Sequence, residues 1–270
     1  MPELPEMAIF ARDMRRVLTG RTVRGIEVRQ DKLLNLPVHA FVAALDGAFI
    51  ANVTPRGKWL QVDTSEGCLL INLGIGGDIL LVDRQRMPER YQVAFDLDDG
   101  HTLALGFRGI GYCHYATDPL DHPMAGKVAA DMLSVTRLGF HELLHGRRGT
   151  LKPFLMNQSI ISGVGNVTIQ PALWRAKVHP LRSIPTLTDD EIDAVWRELQ
   201  ATLREAIGQG GSHDQRNLYG ACGGWRDPFL AAFVEGAPCP VCGTPLTRIR
   251  TGSTLGYVCP GCQAIGTDDV

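Results

Sequence analysis

Apolar residues recur at helical spacing through the first stretch of the chain: Leu4, Met7, Ala8, Ala11, Met14, Val17 and Leu18. Arg12, Asp13, Arg15 and Arg16 fall between them. The pattern predicts an amphipathic helix over 3–19, stopped by Gly20. From about 21 to 117 the period changes to short alternating or wholly apolar runs: "RTVRGIEVRQ", "WLQVDT", "CLLINLGIGG", "DILLVD", "YQVAFDL" and "HTLALGF". Turn residues such as Ser65-Glu66-Gly67 and Asp99-Gly100 separate them, and the spacing predicts an antiparallel sandwich or barrel. "TDPLDHPMAG" (117–126) is polar and proline-rich and reads as a linker.

Beyond it the pattern is helical. Residues 151–161 carry Leu151, Phe154, Leu155, Ile160 and Ile161, followed by "SGVGN" and "VTIQPALWRA". Pro171 predicts that the second of these helices starts near Thr168, which leaves the proline in the first turn. "TDDE" from Thr188 is a capping box with Glu191 at its third helical position. The helix it opens buries Ile192, Val195, Trp196, Leu199, Leu203 and Ile207 and ends at Gly208 and Gly210. Residues 211–235 are irregular and glycine-rich, and four cysteines fall in the tail from 236. The resulting division is an N-terminal β-rich domain at 1–118, a linker at 119–133, a helical domain at 134–235 and a cysteine-bearing tail at 236–270.

The bulk numbers narrow the setting. With 270 residues, 44% hydrophobic and 21% charged, the composition is that of an ordinary globular protein. No apolar run approaches the ~20 residues of a membrane span, and the start of the chain lacks the layout of a secretory signal. Seven cysteines, an odd count, argue against a disulfide scaffold and for a reducing, cytosolic setting. A net charge of −2 means that any nucleic-acid surface must be local.

Three motifs carry chemistry. Cys239, Cys242, Cys259 and Cys262 form C-x2-C-x16-C-x2-C, the spacing of two knuckles that supply four thiolates to one structural zinc. All four positions are thiolates, so no open position remains for catalysis. The hairpin between the knuckles carries Arg248 and Arg250 and no acid, which suits nucleic-acid contact or plain folding support. The second motif, Gly163-Val164-Gly165-Asn166, is a tight turn before a helix and a place where amides can hold a phosphate. Between 137 and 182 the basic residues are Arg137, Arg147, Arg148, Lys152, Arg175, Lys177 and Arg182, against one acid, Glu142. That local excess favours phosphate contact over a bare turn.

The third motif is "MPELPE". Proline and acids suit a helix start. If Met1 is removed, Pro2 also carries a free secondary amine whose ordinary pKa is about 8, against about 10.4 for lysine, so a large fraction is neutral and nucleophilic at about pH 7.5. Such an amine attacks a sugar aldehyde carbon to give an iminium ion, and Glu3 and Glu6 are at hand to move protons.

"PELPE", a β-rich first half, "KPFLMNQSIISGVGN" and a four-cysteine ribbon, in this order, resemble the formamidopyrimidine-DNA glycosylase / endonuclease VIII family over essentially the whole chain. The resemblance implies an α+β multidomain fold: a β-sandwich with an N-terminal helix, a helix–two-turn–helix domain and a four-Cys zinc finger. It implies a DNA repair enzyme, a bifunctional glycosylase and abasic-site lyase that excises damaged, expectedly oxidised, bases from flipped nucleotides. Pro2 then matches the nucleophile, Glu3 the acid beside it and Glu6 the second carboxylate. Lys58 matches a β-strand lysine near the lesion phosphate, Lys152 and Asn166 match phosphate-holding residues, and Arg108 matches an arginine that enters the duplex. Ile75 and Ile110 stand where the family has a wedge methionine and phenylalanine. One structural zinc is the only cofactor implied. The implied partner is double-stranded DNA with a damaged base or abasic site, bound by a monomer in a bacterial cytoplasm.

The chain also departs from the family. Thr254 occupies the place of the finger arginine, five residues before the third cysteine. Asn157 replaces an aspartate, and Pro171 an acid. "GSHDQRNLYGACGGWRD" does not resemble the loop that covers 8-oxoguanine, which points to a divergent branch. These departures motivate a second reading, a damage-binding protein with little turnover. A third, a zinc-ribbon scaffold unrelated to repair, leaves the N-terminal constellation unexplained.

Overall fold

The computed structural model describes residues 2–231 and 234–265. The residues 232–233 and 266–270, parts of the helical and cysteine-bearing segments expected from the sequence, lie outside the described residues. Two compact units are present, Met1–Val128 with Ile207–Gly224, and Ala129–Ala206 with Trp225–Val270. Among the described residues no helix is long and apolar enough to cross a membrane.

The first unit opens with helix α1 (Leu4–Leu18), within a residue at each end of the stretch read from its spacing. Strand β1 (Val23–Val28), helix α2 (Val38–Leu45) and strands β2 (Ile50–Arg56), β3 (Trp59–Thr64), β4 (Gly67–Asn72), β5 (Asp78–Asp83), β6 (Val93–Leu97), β7 (His101–Gly106) and β8 (Tyr112–Ala116) follow. They form two four-stranded antiparallel sheets, in the orders β1-β6-β7-β5 and β2-β3-β4-β8. One core joins them: Met7, Phe10 and Met14 of α1 pack with Val62, Leu69 and Ile71 of one sheet and Val93, Phe95 and Leu105 of the other. Helix α2 is absent from the β-rich reading of this region. Its Phe41 and Leu45, four residues apart, are buried, so tertiary burial overrides the strand preference of Val and Phe. Strand β2 contains Pro55, tolerated because β2 is an edge strand.

"CLLI" (68–71) is a continuous apolar run because β4 is covered on both faces. Leu69 and Ile71 face the main core, whereas Cys68 and Leu70 join Trp59 and Ala125 in a second cluster. Ala125 belongs to the stretch read as a linker. That stretch is held down by Arg56, whose Nε donates to the Ala125 carbonyl at 2.7 Å. A ring contact adds to this: His114 Nδ1 and His122 Nε2 lie 2.8 Å apart.

The second unit contains α3 (Arg137–Leu144), α4 (Leu151–Leu155), α5 (Asn166–Arg175), most of α6 (Asp189–Gly208), the short α7 (Pro228–Ala231), and the hairpin β9 (Thr247–Thr251) and β10 (Thr254–Val258). The capping box read at Thr188 is present. Glu191 N–H donates to Thr188 Oγ1 at 3.3 Å, and Thr188 N–H donates to Glu191 Oε2 at 2.9 Å. Helix α5 begins at Asn166, not near Thr168, so Pro171 is inside the helix and not in its first turn. The start is fixed by Gly165, the N-cap, whose N–H donates to Thr168 Oγ1 at 3.4 Å. Pro171 is buried, and its missing N–H leaves the helix one internal hydrogen bond short.

Candidate active site and nucleic-acid interface

In the first unit the opening motif folds into the first turn of α1. Glu3 is the N-cap, Pro5 occupies the first turn and Glu6 is the third helical residue. The Glu3 N–H donates to Glu6 Oε2 at 2.8 Å. Pro2 is buried, and Glu3 and Glu6 are only 1% and 8% exposed. Burial pushes the Glu6 carboxyl above its ordinary value, opposed by the N–H groups of Glu3 and Ser212. Lys58 lies in the two-residue turn Gly57–Lys58 between β2 and β3, not within a strand as its family counterpart would. Gly57 supplies the positive φ of +59° that the turn requires. Burial lowers the Lys58 amine below the ordinary lysine value, and the Glu3 carboxylate works against that shift. Asn72 braces the turn by donating to the Lys58 carbonyl at 3.1 Å. A secondary amine, two buried carboxylates and a partly desolvated lysine thus belong to one unit, the groups that imine chemistry requires.

Ile75, Arg108 and Ile110 are also brought together. Ile75 and Ile110 are 70% and 76% exposed, on neighbouring turns. A β-carbon on Gly76 would lie 3.3 Å from Arg108 Cδ, so the arginine stem runs over that glycine. Arg108 also borders a cavity of about 770 Å³ whose charged lining is Asp78, Glu89, Arg90, Arg108 and Arg216. None of the three arginines forms an ion pair among the described residues, and the carboxyls of Asp78 and Glu89 in the same lining offset part of their charge. Burial raises the Asp78 carboxyl above its ordinary value, against the pull of Arg216 and Arg108. Arg90 and Arg216 escaped the sequence reading because they are isolated basic residues far apart in the chain.

In the second unit Lys152 is fully buried in α4 and Asn166 opens α5. A β-carbon on Gly256 of β10 would meet Lys152 Nζ at 2.9 Å and Gln170 Oε1 at 3.4 Å. Gln170, which the sequence reading missed, accepts the Tyr257 N–H at 2.8 Å and donates to the Asn166 carbonyl at 3.1 Å. It ties the hairpin to the start of α5. The Asn166 Oδ1 is buried with no hydrogen-bond partner among the described residues. Much of the basic excess of this region is neutralised by acids from elsewhere: Arg137 pairs with Asp193, Arg175 with Glu205 and Asp227, and Arg182 with Glu191. Arg147, Arg148 and Lys177 form no ion pair among the described residues.

Cys239, Cys242, Cys259 and Cys262 place their sulfurs within 4.8 Å of one another, with 3.8 Å between Cys239 and Cys262 and 3.3 Å between Cys242 and Cys259. A tetrahedral zinc with Zn–S bonds of about 2.3 Å needs sulfurs roughly 3.8 Å apart, so the four thiols fit one structural zinc. The knuckles pack on Phe229 and Leu246, and Phe229 stacks on Trp174 at 5.0 Å. Arg248 and Arg250 are exposed on β9; Arg248 pairs with Glu235 at 3.5 Å, and Arg250 has no ion pair among the described residues. Thr254 closes the hairpin tip, its hydroxyl donating to the Thr251 carbonyl at 3.1 Å.

Family models match the chain in three successive segments. They are the formamidopyrimidine-DNA glycosylase N-terminal domain over residues 1–113, its H2TH domain over 117–217, and the zinc finger found in FPG and IleRS over 236–265. A formamidopyrimidine-DNA glycosylase from Roseiflexus sp. is 32% identical, covering 97% of this chain and 100% of the relative. One from Chloroflexus aurantiacus is 33% identical over 97% of this chain and 98% of its own length. Among solved structures, MutM (Fpg) of Thermus thermophilus superposes with a TM-score of 0.84 at 29% identity, covering 98% of this chain and 100% of that one. Lactococcus lactis Fpg in complex with DNA containing an abasic site has a TM-score of 0.85 at 23% identity, covering 97% and 99%, a likeness of fold.

Proposed function

Since the chain belongs to the formamidopyrimidine-DNA glycosylase family, we propose that it is a bifunctional DNA glycosylase and abasic-site lyase whose nucleophile is the amine of Pro2. The observation that carries the reading is the burial of Pro2, Glu3 and Glu6 at the start of α1, with the half-buried Lys58 within electrostatic reach of Glu3. The Pro2 nitrogen attacks C1′ of a flipped damaged nucleotide and the base departs. Glu3, beside it, gives a proton to the ring oxygen, so the sugar opens to an iminium ion. Loss of a C2′ proton to a carboxylate then expels the 3′ phosphate and breaks the strand. Glu6 in its ionised form faces the cation, and the Lys58 amine serves the lesion phosphate.

The groups on the turns at Ile75 and Arg108–Ile110 fill the space that a flipped nucleotide leaves, with Ile75 and Ile110 as apolar wedges. Asn166, Arg248 and Arg250 serve DNA phosphates, whereas Lys152, read from the sequence as a further phosphate holder, is fully buried against Gly256 and supports the hairpin instead. The zinc, held by four cysteines, shapes the hairpin without touching the reaction. The substrate is a damaged base in duplex DNA, with oxidised bases the class favoured. Such a substrate places the protein with DNA in the cytoplasm.

Borohydride trapping on a duplex with an abasic site tests the reading. A covalent adduct is expected from the chain with Met1 removed, and it should vanish when Pro2 is replaced. No adduct, or one undiminished by that replacement, would sink it. Thr254, engaged at the hairpin tip where the family keeps an arginine, favours a second reading as an abasic-site binder with little turnover. Strand cleavage at a rate typical of active family members removes that alternative.

A further inference from the structure

Residues 209–224 are tied to the first unit at several places, and one tie is the Glu6 carboxylate. Ser212 N–H donates to Glu6 Oε1 at 3.0 Å, while Glu3 N–H occupies Oε2 at 2.8 Å. Three residues on, Gln215 Nε2 donates to the Gly77 carbonyl at 3.1 Å. Leu218 is buried in the main core, and its carbonyl accepts the Leu81 N–H at 2.9 Å. The stretch then closes on itself: Gly224 N–H donates to the Gln209 carbonyl at 2.8 Å. A β-carbon on Gly223 would lie 2.1 Å from the Gly211 carbonyl oxygen. Within the loop, Asn217 Oδ1 accepts the N–H groups of Tyr219 and Ala221 at 3.0 and 3.1 Å. The result is a compact loop with its ends together, carrying its own hydrogen bonds.

Gly211 is the residue that makes the tie to Glu6 possible. It adopts φ +88°, and a β-carbon there would lie 3.2 Å from Ile9 Cδ1 and 3.4 Å from Glu6 Oε1. A side chain at this position is therefore strained by the backbone and crowded against the very group that the next N–H must reach.

We propose that this loop is a fixed strap whose Ser212 N–H holds the Glu6 carboxylate, making Gly211 and Ser212 positioning residues for the lyase reaction. The inference rests on the function proposed above. Two N–H donors, one on each oxygen, favour the ionised form of Glu6 and fix its plane. Burial opposes ionisation, as does the Glu3 carboxylate, the charged group that faces Glu6; Lys58 faces Glu3 in turn. Glu6 must be ionised to accept a proton or to face an iminium ion. The strap therefore keeps the useful form populated at lower pH than burial alone would allow.

The experiment is single-turnover cleavage of an abasic-site duplex across pH, comparing the wild type with Ser212→Pro, which has no N–H, and Gly211→Ala. Both variants should move the acid limb of the profile to higher pH, with about a tenfold loss on the acid side, the value of one charge-assisted hydrogen bond. KM should change little. Tyr219→Ala, at the exposed tip of the same loop, should keep the wild-type midpoint. A folded Ser212→Pro with an unmoved acid limb overturns the proposal. If that variant does not fold, Gly211→Ala and Gln215→Ala, which releases the neighbouring anchor, decide by the same criterion. Carboxyl NMR of Glu6 in the DNA-free chain separates this idea from the function. The Glu6 titration should move up in the variants even if no DNA is cleaved, and an unmoved titration overturns the strap alone.

Discussion

Gly74 lies directly against Ile110: a β-carbon on Gly74 would fall 1.5 Å from the Ile110 carbonyl oxygen. The two turns that present Ile75, Arg108 and Ile110 are therefore in backbone contact, and Gly74 also adopts φ +55°, where a side chain is strained. Gly74→Ala should separate the turns. We expect a loss of about 1–3 kcal/mol in stability, and abasic-duplex binding weaker by about tenfold or more, the cost of misplacing the wedge. Adduct formation on single-stranded abasic DNA, which needs no wedge, should persist. Denaturant melts and trapping on both substrates check this.

Glu6→Gln should stabilise the protein while slowing it. The Glu6 carboxyl is raised above its ordinary value of 4.5 by burial. Its contribution to stability is complete below the unfolded pKa and is lost as pH rises through the raised folded value. The melting advantage of Glu6→Gln over wild type should therefore be absent in acid and grow toward neutral pH. For a chain of this size each kcal/mol corresponds to roughly 2–4 °C. Melting curves at several pH values, beside cleavage rates, decide it.

His114 and His122 give the opposite sign. The His122 Nδ1 accepts the Ala125 N–H at 2.9 Å, so its Nε2 carries the proton and donates to His114 Nδ1 at 2.8 Å. Burial, then the neighbouring His122, push His114 down from 6.5 to about 4. The stability this pair contributes is fully present above pH 6.5 and is lost as pH falls through about 4. His114→Leu should flatten that decline, as pH-dependent denaturation would show.

Chelation should remove zinc and unfold the hairpin while leaving the sandwich core intact. Structural zinc in small four-ligand sites is worth about 10–16 kcal/mol of apparent binding energy. Cys259→Ser, at a fully buried ligand, should lose the metal and the affinity for DNA together. Metal analysis, circular dichroism and a DNA-binding titration report the three effects.

Thr254→Arg tests whether the hairpin tip can take up a phosphate contact. The variant loses the Thr254–Thr251 hydrogen bond, a cost of about 0.5–1.5 kcal/mol. It should bind abasic duplex more tightly at low salt. The slope of log affinity against log salt should steepen by about 0.9, one added phosphate contact.

Much of this was legible in the order of residues. The helix at Leu4–Leu18 and the box at Thr188 and Glu191 depend on near neighbours, and a spacing of three or four residues specifies them. The zinc knuckles are equally local, since two residues between cysteines already set the geometry of a ligand pair. The start of α5 misled because the local cap of Gly165 and Thr168 outweighs the preference of Pro171 for a first turn, whereas helix α2 and the basic count between 137 and 182 misled because each is decided by a distant partner. Phe41 and Leu45 are helical because the core takes them on one face, and Arg175 is neutralised by Glu205 and Asp227.

What the sequence determined by itself was the chemistry on offer: an amine with adjacent acids, a glycine turn before a helix, and four thiols at metal spacing. Tertiary structure decided which of these groups meet and in what electrostatic state. It buried Glu6 and gave it the N–H of Ser212, 206 residues along the chain. It put Gly74 under Ile110, and set Lys152 against Gly256 of the zinc hairpin. No local pattern encodes such contacts, because a backbone N–H is present at every residue except proline. Only the closed chain, with water excluded, determines which one a buried carboxylate receives.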